Sequence, residues 1–243
     1  MLLPDKISKG DTIGLFTPSY PALYGWVDGV NPAVSLLQEQ RFNIKYGSLT
    51  GKKDFYRSGS IQARADELNE LIHSAEVKCI MAISGGSVSN SLLPYIDYDY
   101  LKKNPKIIIG FSDITAILLA VYAKMGLVTY YGPTFSCLGR KPPLPYETFE
   151  YMSNIISKPN EIPYTLPTPT HWTEDYIDIG EDIAYTMYEN NLMTLNSGIA
   201  EGRLIACNLD AETVEKEFSM LKVSGVFDKT DGIFSSSELK HFD

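Results

Sequence analysis

One serine lies between an apolar run and a segment of helical composition. The run Lys106–Ile109 (KIII) predicts a buried strand, and Ser112 and Asp113 follow it after Gly110 and a phenylalanine. A serine on a strand-to-helix turn has an exposed hydroxyl beside the N–H groups of the helix start, which is how a nucleophile is presented. The second glycine of the G-x-S-x-G motif is missing. The alternative that Ser112 or Asp113 only caps the helix therefore stays open.

Two adjacent glycines end another apolar run. Gly85 and Gly86 follow the predicted strand Lys78–Ile83. Adjacent glycines let backbone N–H groups point at a ligand without obstruction by side chains. A plain tight turn is the alternative. Sites in parallel sheets form at the carboxyl ends of strands, so this turn and Ser112 are the two candidate positions.

A serine nucleophile needs a base, usually a histidine that a carboxylate orients. The chain has three histidines. His73 ends an amphipathic helix and is expected to be solvated, His171 follows a proline-rich stretch, and His241 lies two residues from the end. None has the pattern of a general base. The H-E-x-x-H, C-x-x-C and Walker motifs do not occur, so we expect neither a metal nor a cofactor.

The elements that would position these residues alternate between strand and helix. We predict strands at Asp11–Thr17, Phe42–Tyr46, Lys78–Ile83, Lys106–Ile109 and Val128–Tyr131, and helices at Pro32–Arg41, Ser60–Ser74, Asp113–Lys124 and Tyr146–Ser157. In the second helix, one face carries Ile61, Ala65, Leu68 and Ile72. The alternation predicts an α/β fold in which helices cover both faces of a parallel sheet.

Composition restricts the class of protein. The chain has 243 residues, of which 44% are hydrophobic and 21% charged, as in ordinary globular proteins. No apolar run approaches the ~20 residues of a membrane-spanning helix, and the start does not resemble a signal peptide. Cys79, Cys137 and Cys207 are widely spaced. They suggest neither disulfides nor a zinc site, so we expect a cytoplasmic protein.

Charge and proline content divide the chain. The net charge is −9, yet residues 1–170 hold 15 acids and 16 bases, whereas residues 171–243 hold 15 acids and 5 bases. Seven of the 14 prolines lie in residues 142–169. We therefore predict an α/β domain at 1–157, a linker at 158–171 and a partial C-terminal domain at 172–243. An acidic surface disfavours nucleic acid and anionic membranes as partners.

Several segments together resemble the serine LD-carboxypeptidase family, especially its microcin C self-immunity branch. Each segment is weakly specific alone, but they occur in order along nearly the whole chain. The most diagnostic are the Ser112 turn and the Gly85–Gly86 turn. The matching segments are GDTIGLFTPS (10–19), GSLTGKKDFYRSGSIQARADELN (47–69), ISGGSVSNSLLPYIDYD (83–99), NPKIIIGFSDITAIL (104–118), YYGP (130–133), EGRLI (201–205) and ETVEKEFSMLKVSGVFDK (212–229).

The resemblance implies a two-domain, metal-free serine peptidase. Its N-terminal domain would be a Rossmann-like α/β layer and its C-terminal domain smaller and β-rich. Family members cut an amide next to a free carboxylate, either the L,D bond of murein tetrapeptide or the acyl bond that joins aspartate to the nucleotide of processed microcin C. By position, Ser112 matches the nucleophile, and the amides of Gly86 and Asp113 match the oxyanion hole. A homodimer is a possible assembly.

The resemblance also implies a Ser-Glu-His triad, of which only the serine is recognisable. The segment that should carry the glutamate is missing where Leu209 runs directly into Asp210, and the family histidine would lie beyond Asp243. Three interpretations follow. The protein has lost activity and binds ligands, or the sequence lacks parts of a longer active chain, or Glu238 and His241 act as substitutes. The last is the least favoured, because catalysis needs firmly positioned groups.

Overall fold

The computed structural model divides the chain into two compact units, Met1–Asn190 and Asn191–Asp243. The residues that it describes are 1–25, 31–157, 165–173, 175, 185–191, 198 and 204–206. Most of the predicted linker and C-terminal domain, including Glu238 and His241, lies outside these ranges, so the predicted domain boundaries stay predictions. No helix within these ranges is long and apolar enough to cross a membrane.

Five parallel strands form one sheet: β1 (Thr12–Phe16), β2 (Asn43–Tyr46), β3 (Val77–Ala82), β4 (Ile107–Gly110) and β5 (Tyr130–Tyr131). Their order in the sheet is β2-β1-β3-β4-β5. The fifth strand is shorter than predicted, because Val128 lies outside it and its N–H donates to the Leu2 carbonyl (2.9 Å). The chain runs from β1 outward to β2 and then returns to the other side of β1. A crevice opens where such an order reverses, here between the carboxyl ends of β1 and β3.

Helices cover both faces of this sheet, which confirms the predicted α/β class. The helices are α1 (Asn31–Glu39), α2 (Ile61–His73), α3 (Tyr98–Lys103), α4 (Thr115–Met125) and α5 (Leu144–Ile156). Alternate residues of β3 enter different cores: Cys79 and Met81 pack with α1 and α5, whereas Ile80 and Ala82 pack with α2, α3 and α4. Within the described ranges, 3-10 helices lie at Ser89–Tyr95, Ser112–Ile114 and Phe135–Gly139, and a separate two-stranded antiparallel sheet pairs β6 (His171–Trp172) with β7 (Tyr188–Glu189).

The buried face of α2 differs from the predicted one. Ile61 is 37% exposed and is not part of the core, although the other three predicted residues are buried. Arg64 and Glu67 are fully buried instead. Their charged groups bond backbone atoms of loops rather than apolar side chains. The apolar repeat therefore predicts which side of α2 faces the sheet, but it does not predict the buried polar groups on that side.

Glu67 joins the loops that follow β1 and β2. One carboxyl oxygen accepts from the Thr17 N–H and the other from the Leu49 N–H, both at 2.8 Å. Removal from water raises the pKa of Glu67 to about 7, although both amides favour the ionised form. The folded chain thus binds a proton that the unfolded chain, with an ordinary value of 4.5, has already released. The free energy of unfolding must therefore fall as pH rises from about 4.5 through about 7.

We expect this fall to amount to on the order of 3 kcal/mol between pH 4.5 and 8, at ~1.4 kcal/mol per unit of pKa difference. In Glu67→Gln the pH dependence should flatten, because an amide does not titrate. Its overall stability should drop, because an NH₂ group would face one of the two backbone N–H donors. Urea unfolding at several pH values measures both effects. Glu39→Gln, at an exposed position of α1, should keep the wild-type slope, and an unchanged slope in Glu67→Gln would contradict the assignment.

Candidate active site

Ser112 stands at the carboxyl end of β4, an interior strand of the sheet. Phe111 is extended, Ser112 has a φ of +64°, and a short 3-10 helix leads into α4 at Thr115. A positive φ is uncommon outside glycine and persists only where the surrounding structure holds it. The Thr115 hydroxyl donates to the Ser112 carbonyl from within α4. The predicted strand, turn and helix around Ser112 are thus confirmed.

The Gly85–Gly86 turn packs directly against this serine. A Cβ built on Gly85 would lie 3.0 Å from Oγ of Ser112 and 3.6 Å from the backbone nitrogen of Asp113. Such a contact is tighter than side chains normally make, so a glycine at position 85 is what leaves room for the hydroxyl. The two candidate positions identified in the sequence, Ser112 and the Gly85–Gly86 turn, are therefore in contact. Whether the N–H groups of Gly86 and Asp113 stabilise an oxyanion stays a prediction.

Ser19, near the start of the loop after β1, fixes the other side of the turn. Its Oγ accepts from the N–H groups of Ser87 (3.0 Å) and Val88 (3.1 Å). Gly86 has a φ of +148°, and a Cβ there would lie only 2.2 Å from that Oγ. Both the backbone conformation and the contact require glycine. Sequence reasoning missed Ser19, whose only signal was its place after an apolar strand.

The Asp113 side chain stabilises a neighbouring loop and does not cap its own helix. Its Oδ2 accepts from the N–H groups of Val88 (3.1 Å) and Ser89 (2.9 Å), and the Ser89 hydroxyl donates to its backbone carbonyl. Neither the 3-10 helix at Ser112 nor α4 has a side-chain cap. The alternative that Ser112 or Asp113 is only a helix cap is therefore not what the structure shows.

The described histidines do not contact Ser112. His73 ends α2, on the approach to the amino end of β3, and is half exposed with its Nε2 2.8 Å from Oδ2 of Asp97. This agrees with the prediction of a solvated histidine. His171 is exposed on β6 and pairs with the Thr170 hydroxyl (3.0 Å). Within the described ranges, no group of three His, Cys, Asp or Glu residues could hold a metal ion.

A family model described as the LD-carboxypeptidase N-terminal domain matches residues 13–132 of this chain. The matched range contains the five parallel strands except Thr12, the first residue of β1, together with the Gly85–Gly86 turn and Ser112. Ser112 and the glycine turn at the carboxyl edge of the sheet thus lie within the range that the family model matches.

Two named relatives are similar to this chain over different shares of its length. The microcin C7 self-immunity protein MccF of Escherichia coli is 39% identical over 264 aligned positions, which cover 96% of this chain and 77% of that protein. The murein tetrapeptide carboxypeptidase of Pseudomonas aeruginosa is 30% identical over 104 positions, which cover 42% of this chain and 34% of that protein. The resemblance to MccF thus extends well beyond the matched domain.

Solved structures of MccF have the same fold as this chain. The complex with aspartyl sulfamoyl adenosine superposes with a TM-score of 0.83 at 36% identity and covers 98% of this chain and 85% of that one. Another MccF structure contains adenosine monophosphate. A further one is an active-site mutant in which a serine, an asparagine and a lysine are replaced by alanine.

The alignment with MccF is longer than this chain. It has 264 positions against 243 residues here, so at least 21 positions of MccF have no counterpart.

Replacing Asp113 should test its contribution to the site. In Asp113→Ala the N–H groups of Val88 and Ser89 lose their acceptor, which should cost about 2 kcal/mol of unfolding free energy. Asp113→Asn keeps one carbonyl oxygen that can accept at the same place, so it should cost about half as much. Urea denaturation of both variants measures the difference. Equal losses in the two variants would show that the acceptor role is unimportant.

Proposed function

Because the chain belongs to the LD-carboxypeptidase family of serine peptidases, we propose that it hydrolyses an amide next to a free carboxylate, with Ser112 as the nucleophile. One observation carries this proposal above all. Ser112 is held with a positive φ at the end of an interior strand, and Gly85 leaves space beside its hydroxyl that a side chain would fill. A strained serine at the carboxyl edge of a parallel sheet is how such folds present a nucleophile.

In the proposed reaction, Oγ of Ser112 attacks the carbonyl carbon of the scissile amide and its proton passes to a general base. The carbonyl oxygen becomes an anion, which the N–H groups of Gly86 and Asp113 would stabilise. The amine then leaves with a proton, and water hydrolyses the resulting ester. No described residue is assigned as the base, and no metal or cofactor enters the scheme.

For the substrate, we propose an aminoacyl nucleotide of the microcin C type. The support is the extent of similarity: MccF aligns with 96% of this chain, and its structures contain aspartyl and glutamyl sulfamoyl nucleosides. A substrate of this type is small, in keeping with a partner that is neither nucleic acid nor membrane.

Cys79 and Cys137 are free thiols, which supports a cytoplasmic location.

Murein tetrapeptide is the second candidate substrate. The observation in its favour is the similarity to the Pseudomonas aeruginosa enzyme, which aligns with 42% of this chain. Both substrates share an amide next to a free carboxylate, so the same serine and oxyanion donors would serve either one. They differ in the leaving group.

A ligand-binding protein without catalysis is the candidate from another class. It is favoured by the 21 or more positions of MccF that have no counterpart here, since the resemblance places the triad glutamate in a missing segment. Without a base, the serine hydroxyl is a poor nucleophile, yet the fold around it remains able to bind a ligand.

The proposed homodimer is independent of this choice and is decided by mass measurement in solution.

Incubation with aspartyl sulfamoyl adenosine and with murein tetrapeptide, followed by mass spectrometry and calorimetric binding, separates the three candidates. We expect wild-type protein to release aspartate from the nucleotide, and Ser112→Ala to release none above background. Loss of a triad member typically leaves only ~10³–10⁴-fold catalysis over water, too little to detect for an amide. Ser35→Ala, at an exposed position of α1, should behave as wild type.

The other outcomes assign the remaining candidates. Release of the terminal residue from the tetrapeptide alone would favour the murein substrate. Binding without product would identify a ligand-binding protein. Equal product from wild type and Ser112→Ala would show that Ser112 is not the nucleophile.

A further inference from the structure

A fully buried arginine connects the loops around Ser112. Arg64 lies on α2, has no exposed surface, and makes no ion pair with a carboxylate among the described residues. Its guanidinium donates to backbone carbonyls of Gly59 (3.0 Å), Pro18 (2.6 Å) and Val88 (3.1 Å) and to Oγ of Ser91 (3.2 Å). A buried cation that is balanced mainly by loop carbonyls is costly to lose, because each carbonyl would then lack its donor.

These partners belong to different segments at the carboxyl edge of the sheet. Pro18 follows β1, whereas Val88 and Ser91 follow β3. Val88 is also the point at which Ser19 and the Asp113 carboxylate hold the backbone. The Gly85–Gly86 turn therefore lies between two fixed ends, β3 on one side and Val88 on the other.

We propose that Arg64 is a positioning residue that holds the Gly85–Gly86 turn at the Ser112 hydroxyl and so sets the oxyanion-hole geometry. This inference rests on the proposed function, in which the Gly86 N–H stabilises the oxyanion. Arg64 itself does not touch the substrate. It acts by fixing the Val88 carbonyl to the loop after β1, so that the glycine turn cannot move away from Ser112.

The shape of the guanidinium explains why arginine serves here. Its three nitrogens form a rigid planar fork, and Nη1 bonds Pro18 and Val88 while Nε bonds Gly59. A lysine ammonium is a single point with three donors and does not reach three separated carbonyls in this way. Arg64→Lys therefore keeps the charge but removes the link between the loops.

The test uses Arg64→Lys and, as its matched control, Arg57→Lys, whose arginine pairs with Asp54 at the surface. With aspartyl sulfamoyl adenosine, Arg64→Lys should lower kcat about 100-fold and leave KM within about twofold. An oxyanion donor acts in the transition state, and loss of one typically costs ~10²–10³ in kcat. Arg57→Lys should change neither parameter.

Amide hydrogen exchange supplies a readout that does not need activity. In Arg64→Lys, exchange in the Gly85–Val88 peptide should become at least about tenfold faster, whereas Val77–Ala82 of β3 should exchange as in wild type. If the lysine variant does not fold, Arg64→Met, which buries no unpaired charge, is used in both measurements. Exchange at Gly85–Val88 that stays at the wild-type rate would overturn the proposal, as would a rise in KM with kcat unchanged.

The two measurements separate this inference from the proposed function. If wild type hydrolyses no substrate, the proposed function fails, and the exchange rates still decide whether Arg64 holds the turn. If wild type is active and the exchange accelerates without loss of kcat, the function stands and the oxyanion role of the turn is wrong.

Discussion

The carboxyl edge of the sheet depends on charged side chains that satisfy the backbone of its loops. Strands pair with each other, but the loops that leave them diverge, so their N–H and C=O groups need other partners. Arg64 supplies donors to loop carbonyls, and Glu67 and Asp113 supply acceptors to loop N–H groups. At this edge, three buried or half-buried charged groups thus supply the backbone hydrogen-bond partners that neighbouring strands supply within the sheet.

This arrangement explains how a strained serine is held. The positive φ of Ser112 is unfavourable in isolation and has to be compensated by surrounding contacts. Gly85 packs on one side of the side chain, and Thr115 bonds the carbonyl on the other. The residue next to the serine, Asp113, is bonded to the loop that follows β3. Nucleophile and glycine turn therefore support each other, and a displacement of either disturbs both.

Much of the fold followed from local sequence signals. All five parallel strands were predicted. The buried strands β1, β3 and β4 are short apolar runs that glycine or proline ends, and Ser112 was found because it follows such a run. Arg64 and Glu67 were missed because a periodicity argument counts apolar positions and treats polar ones as exposed. The pairing of β6 with β7 was missed because its strands have only two residues each and depend on contacts between distant segments.

In the proposed scheme, the described residues supply the nucleophile and the oxyanion donors but not the base. The strained serine, the glycine turn and the loops that hold it are all built by residues before position 126, within the range that the family model matches. Proton transfer needs further groups, and the histidines at positions 73 and 171 are engaged elsewhere. In the proposed scheme, the groups that stabilise charge lie before position 126, whereas the family resemblance places the residues that move a proton further along the chain. Loss of the second stretch would stop hydrolysis and leave the carboxyl edge intact, because none of its hydrogen bonds described above uses a residue beyond Thr115. A peptidase of this architecture can therefore become a binding protein without a change in the fold of its nucleophile-bearing sheet.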